Sequence, residues 1–533
     1  MDELRGLATL LAANLRRDKI LLPICVVTFA AVAASSAVAT ADVYPDMASQ
    51  VQGAELINST PGLVAMYGRI YDPSSLGAVS VFKIIGFGTA LVGLFAALVV
   101  IRHTRADEEL GRYELLAGGS IGRFASLAAA LSIACIGVVG IGVFTVVGLA
   151  ATGLPVAGSL AFALSWTVAG LAFAGVGAVA AQLTTSARAA RGLAIGTLAV
   201  GYILRAVGDA NGKSEPSWPT WLSPIGWAQQ IRPYAGDRWL LALLPLVLGV
   251  ALVSLAVVLI GRRDIGSGLL PQRRGAARAG VLLSSPLGLA WRLQRAAFLG
   301  WLVAFVLLSL VVAQILTRVD DLLGSPVARQ LIIALGGVDE VAKAFLAVEL
   351  SFIAVFASAY GISSTLRLAS EESASRADLV LTTPVGRIRW AASHLVIALG
   401  GTALLMLACG VALGLVQMVQ TSDSGTFGAN LLAAAVRLPA VWVLVGVTIA
   451  LYGVARRAAA VAWVVLVATF LASEIGPLLD LPRWVRDLSP FTHVPHLPGG
   501  EVTAGPLLAL LALAAGLIIA GLWALRRRDL AVS

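Results

Sequence analysis

The chain has 533 residues, 59% hydrophobic and only 13% charged, with a mean hydropathy of +0.90. Soluble domains run at roughly 45–50% apolar and about 25% charged residues, so the composition excludes a soluble enzyme or binding module and requires a polytopic membrane protein. The net charge of +9 fits membrane topology and contact with anionic lipid rather than with nucleic acid.

The chain starts MDELRGLATLLAANLRRDK, a charged amphipathic segment with no cleavable signal peptide evident. It reads as an interfacial helix, with Leu4, Leu7, Leu11 and Leu15 on one face and Arg5, Arg16, Arg17 and Lys19 available for headgroups. Apolar stretches of roughly 20 residues, the length that crosses a bilayer core, follow twelve times: 20–41, 78–101, 124–152, 156–183, 191–207, 239–260, 298–316, 344–366, 389–417, 431–453, 458–478 and 503–525. A second interfacial stretch, LGLAWRLQRAAFLGW at 287–301, precedes the seventh span. The uninterrupted runs and the lack of strand alternation predict helices rather than a barrel, because lipid forces the backbone to satisfy its own hydrogen bonds. The connections on the side of both chain ends hold 26 Lys and Arg, and those opposite hold 9. By the positive-inside rule both termini are cytoplasmic.

Two cytoplasmic segments about 264 residues apart say the same thing. Asp107 to Arg123 reads DEELGRYELLAGGSIGR and Glu371 to Arg387 reads EESASRADLVLTTPVGR. Identical pairs are Glu108/Glu372, Arg112/Arg376, Leu115/Leu379, Gly122/Gly386 and Arg123/Arg387, and acid matches acid at Asp107/Glu371 and Glu114/Asp378. Other landmarks recur at nearly the same interval: WLSPIGW at 221–227 with DLSPFTH at 487–493, and GRRDIG at 261–266 with RRRDLA at 526–531. The whole chain therefore reads as a tandem duplication, residues 1–275 and 276–533, with the boundary in the Gly, Pro and Arg-rich stretch 266–286. Six spans per half give the halves one orientation, related by an axis along the membrane normal.

Each copy places acids at its start, where a helix N-terminus favours negative charge. Each also sets a Glu four residues before an Arg, Glu108 to Arg112 and Glu372 to Arg376, the favourable order for a helical pair. The expectation is a short surface helix that a soluble partner grips by its acids and Arg, held to the bundle by Leu115/Leu116 and Leu379/Leu381. The alternative is a solvated turn that merely obeys charge topology.

At this point the chain resembles the permeases of type-2 ABC exporters. That family carries, between its second and third spans, a cytoplasmic coupling helix with a pattern like E-E-x-G-x-x-E-L-L-L-x-T-P-x-x-R. The first copy supplies Glu108, Glu109, Gly111, Glu114, Leu115, Leu116 and Arg123, with Ser120 where the pattern has Pro. The second supplies Glu371, Glu372, Asp378, Leu379, Thr383, Pro384 and Arg387, with Ser375 where the pattern has Gly. The fused arrangement looks most like the twelve-span exporters of polyketide and tetronasin-type antibiotics. The resemblance implies an all-α bundle of twelve membrane helices in two parallel six-helix repeats, in a bacterial plasma membrane. It implies two copies of a separate nucleotide-binding ATPase subunit, one on each coupling helix, with ATP and Mg bound on those partners and no cofactor on this chain. Its substrate would be a hydrophobic or amphipathic small molecule. A phosphate loop on this chain itself would need G-x-x-x-x-G-K-[ST], and Gly208 to Ser214, GDANGKS, is one residue short and external.

Charges inside spans are costly and are functional candidates. Lys83 and Glu349 lie near the outer ends of spans 2 and 8, and Arg205 and Glu474 near those of spans 5 and 11. The resemblance would place these four around the translocation path, pairing across the pseudo-twofold axis or lining a hydrated cavity; snorkelling to the outer headgroups is the alternative. His493 and His496 lack a nearby third metal ligand, and Cys25, Cys135 and Cys409 sit in spans as small hydrophobes. Trp218, Trp221, Trp227 and Trp239 read as an interfacial belt, in a loop, 208–238, that could also dip back as an outer gate. The competing function is a proton-coupled secondary drug transporter with twelve spans. Its signature loop, G-x-x-x-D-[RK]-x-G-[RK]-[RK], matches neither copy, and Glu349 and Glu474 are its only convincing proton carboxylates. An intramembrane enzyme would need a converging nucleophile, base or metal constellation, and none is present.

Overall fold

The computed structural model describes residues 2–59, 61–112, 121–212, 215–264, 266–270, 280–316, 338–475, 482–495, 497–500, 502–528. Among these there is no strand, and the chain divides into two compact units, Met1–Arg274 and Gly275–Ser533.

In the first unit, α1 (Leu7–Arg17) precedes α2 (Leu21–Val43). Two short helices, Met47–Ser59 and Pro61–Tyr67, lead to α3 (Leu76–Arg102), started by the Ser75 hydroxyl accepting from the Ala78 amide. The short α4 (Arg105–Glu109) follows. Then come α5 (Ala125–Ala151), α6 (Val156–Leu183), α7 (Ala187–Asn211), the short α8 (Pro224–Gln229) and α9 (Leu243–Gly261). Thr152–Gly153–Leu154–Pro155 makes the tight turn between α5 and α6: Gly153 takes φ 85°, open to glycine at no steric cost, and a proline cannot extend the helix before it.

The second unit runs α10 (Pro286–Leu316), α11 (Val338–Thr365), α12 (Arg367–Ser373), α13 (Arg376–Leu381), α14 (Arg387–Thr421), α15 (Gly425–Ala435), α16 (Leu438–Val454), α17 (Val461–Phe470) and α18 (Ala504–Arg527). Among the described residues, eleven helical segments are long and apolar enough to cross a membrane. The expected span 458–478 is instead a shorter apolar helix, Ala458–Ser473, ending in a π-turn Leu471–Ile475, with 476–478 outside the described residues.

Two expectations change. The stretch 287–301 is no separate interfacial helix but the first half of the continuous 31-residue α10, because nothing between Pro286 and Leu316 breaks it. In α1 the inward stripe is Leu7, Leu10, Leu11 and Asn14, continuing to the fully buried Asp18, while Leu4 and Leu15 are exposed. Leu11 packs on the core of the unit. The heptad-like choice of Leu4, Leu7, Leu11 and Leu15 overlooked Leu10 and the pull of Asp18 toward His103 and Arg102.

Lipid offers helices no hydrophobic drive to associate, so close backbone approach through small residues does that work. In the first unit a Cβ on Gly175 would lie 3.0 Å from the Gly249 carbonyl, locking α6 to α9. In the second, a Cβ on Gly521 would lie 2.6 Å from the Ile449 carbonyl, locking α16 to α18. Gly521→Ala should therefore cost about 1–3 kcal/mol by overpacking. Gly516→Ala on the same helix, where nothing stands within 4 Å, should be neutral or stabilising by about 0.5–1 kcal/mol. Thermal unfolding of the purified chain in detergent, followed by circular dichroism, checks both.

Candidate coupling site

The repeated segments are built around two ion pairs that recur in each unit with different sequence context. In the first, the Arg263 guanidinium grips Glu108 with both arms, Nη2 to Oε1 at 2.6 Å and Nη1 to Oε2 at 3.0 Å. Its Nε donates to Gln182 Oε1 at the end of α6 at 2.6 Å. Arg105 adds a second donor to Glu108 at 2.8 Å and binds the Ala181 carbonyl. In the second unit, Arg528 Nη2 donates to Glu372 Oε2 at 2.6 Å. The Tyr452 hydroxyl, at the end of α16, donates to the same oxygen at 2.7 Å. Both carboxylates are mostly removed from solvent, with side chains 11% and 5% exposed. In each unit, then, an acid from the segment, an Arg just past the last helix and a polar residue at the end of α6 or α16 form one cluster.

The second ion pair joins each Arg of the repeat to the preceding acid. Arg112 Nη1 meets Asp107 Oδ1 at 3.0 Å and Arg376 Nε meets Glu371 Oε2 at 3.1 Å. The expected four-residue pairs, Glu108 to Arg112 and Glu372 to Arg376, do not form, since each runs from residue i to i+5. The cause is a left-handed residue immediately before each Arg, Gly111 at φ 68° and Ser375 at φ 52°. It breaks the helix that the four-residue rule assumes. In the second unit the break separates α12 from α13, and Glu371 and Glu372 stand at the end of α12 rather than at a helix start. Asp107 is also held by Arg17 of α1 at 2.8 Å, and Glu371 by Arg367 at 2.9 Å.

The remaining predicted residues complete the frame. Glu109 accepts from the Ala187 amide at 2.9 Å, a carboxylate at the positive end of α7. Arg123 donates to the Ile260 carbonyl and Arg387 to the Arg528 carbonyl, each at 2.8 Å, so the Gly-Arg that closes each repeat also binds the end of the last helix of its unit. Asp378 is half-buried in the first turn of α13. Glu114, Leu115 and Leu116 lie outside the described residues. Leu381 packs partly on the bundle, whereas Leu379 is 74% exposed and Leu110 62% exposed. Leu379 was expected to hold the segment down and instead faces out. A cavity of about 490 Å³ borders the first cluster, lined by Glu108, Arg123, Gln182 and Arg263 among others.

The four intramembrane charges sit as follows. Lys83 Nζ is 3.5 Å from the Thr40 hydroxyl. Arg205 is fully buried and takes its partner one turn along its own helix: Nη1 lies 3.5 Å from Asp209 Oδ2, and Nη2 donates to the Met66 carbonyl at 3.0 Å. Thr220 donates to Asp209 at 3.0 Å. Glu349 is half-buried on α11. Glu474 lies in the π-turn, with its side chain outside the described residues.

Part of the loop 208–238 packs into the first unit. Ile225, Ala228 and Ile231 are fully buried, the Gln230 amide donates to the Tyr71 hydroxyl at 2.6 Å, and Arg232 stacks on Tyr71 at 3.7 Å. Arg232 also binds Glu215 and so holds that carboxyl below its usual range. Trp218, Trp221 and Trp239 are exposed, and Trp227 donates to the Trp221 carbonyl. His493 bonds the Asp487 carbonyl at 2.8 Å, and His496 lies outside the described residues. Sequence reasoning missed Arg263, Arg528, Gln182, Tyr452 and Asp209. The recurrence of GRRDIG as RRRDLA was the available signal for the two arginines.

A family model described as the C-terminal domain of the multidrug efflux system permease Rv1217c matches residues 283–526. Over 527 residues the chain is 42% identical to the multidrug efflux system permease protein Rv1217c of Mycobacterium tuberculosis (strain ATCC 25618 / H37Rv), an alignment covering 98% of this chain and 95% of that protein.

Removing one partner of a buried ion pair strands the other, at about 3–5 kcal/mol. Glu372→Gln is expected to lower the thermal midpoint markedly, and Asp378→Asn to shift stability by no more than about 0.5 kcal/mol. Ser375→Gly should stabilise by about 0.5–1 kcal/mol, by relieving a left-handed serine. The same unfolding assay in detergent ranks all three.

Proposed function

Because the chain belongs to the family of multidrug efflux system permeases, we propose that it is the membrane-spanning part of an ATP-driven exporter of the type-2 ABC class, energised by two separate ATPase subunits. The observation that carries this reading is the recurrence, in both units, of a segment whose acids are turned inward onto the end of the last helix. Its Arg112 and Arg376 are half-exposed, and its Leu110 and Leu379 face outward. The inward acids fix the segment to the bundle, and the outward Arg and Leu are the surface offered to a partner. ATP binding on the partners would close them, push on both segments, and reach the last helix of each unit through the Glu–Arg clusters. The substrate is a hydrophobic or amphipathic small molecule, moved outward through a bacterial plasma membrane with both termini on the cytoplasmic side. ATP and Mg belong to the partner subunits.

The test is co-purification of the intact chain with a Walker-motif ATPase expressed from the same host. Wild type should retain the ATPase. Arg112→Gln with Arg376→Gln and Leu379→Asp should lose at least about tenfold of it while keeping the thermal midpoint within a few degrees, since Asp107 keeps Arg17 and Glu371 keeps Arg367. Undiminished retention by that variant would place docking elsewhere. Failure of the wild type to retain any such ATPase would favour the proton-coupled carrier, for which Glu349 and Glu474 are the carboxylates to titrate next.

A further inference from the structure

Between α1 and the first repeated segment lies a cavity of about 560 Å³, within the roughly 300–1,000 Å³ of pockets that take drug-sized molecules. Its polar wall comes from Arg5, Arg17, Arg112, His103 and Asp107. Asp107 is shared, accepting from Arg17 at 2.8 Å and Arg112 at 3.0 Å. Three guanidiniums therefore face one carboxylate, and Arg5 has no ion-pair partner among the described residues. The other nearby acid, Asp18, is taken by Arg102 at 3.1 Å and by His103 Nε2 at 2.5 Å. His103 is 2% exposed, and its Nδ1 has no hydrogen-bond partner among the described residues. The wall of the cavity thus carries more guanidinium than carboxylate, a surplus of positive charge that a bound anion would answer.

We infer that this cavity binds the phosphate of an anionic phospholipid headgroup, clamped by Arg5, Arg17 and Arg112. Guanidinium forks match phosphate oxygens in geometry and charge. The volume exceeds what a bare phosphate fills. Just beyond Arg17 the chain exposes Ile20, Leu21 and Ile24, an apolar track along which acyl chains can lie. The backbone frames the site: the Gly122 amide donates to the Arg5 carbonyl at 2.9 Å and the Phe124 amide to the Glu3 carbonyl at 3.1 Å. A bound headgroup would join α1 to the loop that carries Arg112, and so make the position of that loop depend on lipid. The site stands whether or not ATP drives transport.

The test uses the full-length chain purified in a mild detergent, titrated with phosphatidylglycerol, phosphatidylcholine or inorganic phosphate and read by native mass spectrometry. Wild type should bind one phosphatidylglycerol at least fivefold more tightly than phosphatidylcholine. Arg5→Gln and Arg112→Gln should each erase that preference, and Arg5→Lys should keep most of it. Thermal midpoints without lipid, within a few degrees of wild type, show that the variants are folded. If both lipids bind alike, or if neither Gln variant alters the preference, the site is overturned. If inorganic phosphate binds with the same Arg5 dependence and displaces the lipid at millimolar concentration, the phosphate is a soluble one and the lipid assignment falls.

Discussion

One carboxylate in each unit, Glu108 or Glu372, is withdrawn from water and answered by an arginine from just beyond the last helix. A charge in that position is tolerable only while its partner is in place, because desolvation raises the cost of separating the two far above the exposed-pair value. The surrounding geometry follows from that constraint. Gln182, at the end of α6, accepts from Arg263, and Tyr452, at the end of α16, donates to Glu372. Arg123 and Arg387 bind carbonyls at the ends of α9 and α18. The repeated segment is thus tied within each unit to the ends of two helices, α6 and α9 in the first and α16 and α18 in the second.

Close helix packing joins the same helices. Gly175 with Gly249, and Gly453 with Gly521, bring α6 onto α9 and α16 onto α18 at backbone distance. Stiff contact along the helices and a charged clasp at their ends leave few soft joints between segment and bundle. A mechanical reading of coupling needs such stiffness, since sub-ångström displacements propagate only through contacts that cannot yield.

Much of the fold was legible in the sequence, because membrane spans advertise themselves as long apolar runs: 156–183 and 239–260 fall within a residue of the helical segments found. The run at 458–478 was harder, since its helix passes into a π-turn at Leu471. Repetition identified the site, but not its wiring. The four-residue rule named Arg112 and Arg376 as partners of Glu108 and Glu372, and the left-handed residues at 111 and 375 moved those arginines onto Asp107 and Glu371. The true partners lie 155 and 156 residues further along the chain, where no local spacing rule reaches. Asp209 escaped notice for a simpler reason: it sits at the end of an apolar run and reads as loop, while the structure buries it one turn from Arg205.

The left-handed position is filled differently in the two halves, by glycine at 111 and by serine at 375. A glycine occupies that conformation at little cost, whereas a serine stores strain there. The two segments therefore rest at unequal energy: the second holds a backbone strain that the first does not, so the two halves of this chain, alike in their ion pairs, differ in what it costs to keep each segment in its shape.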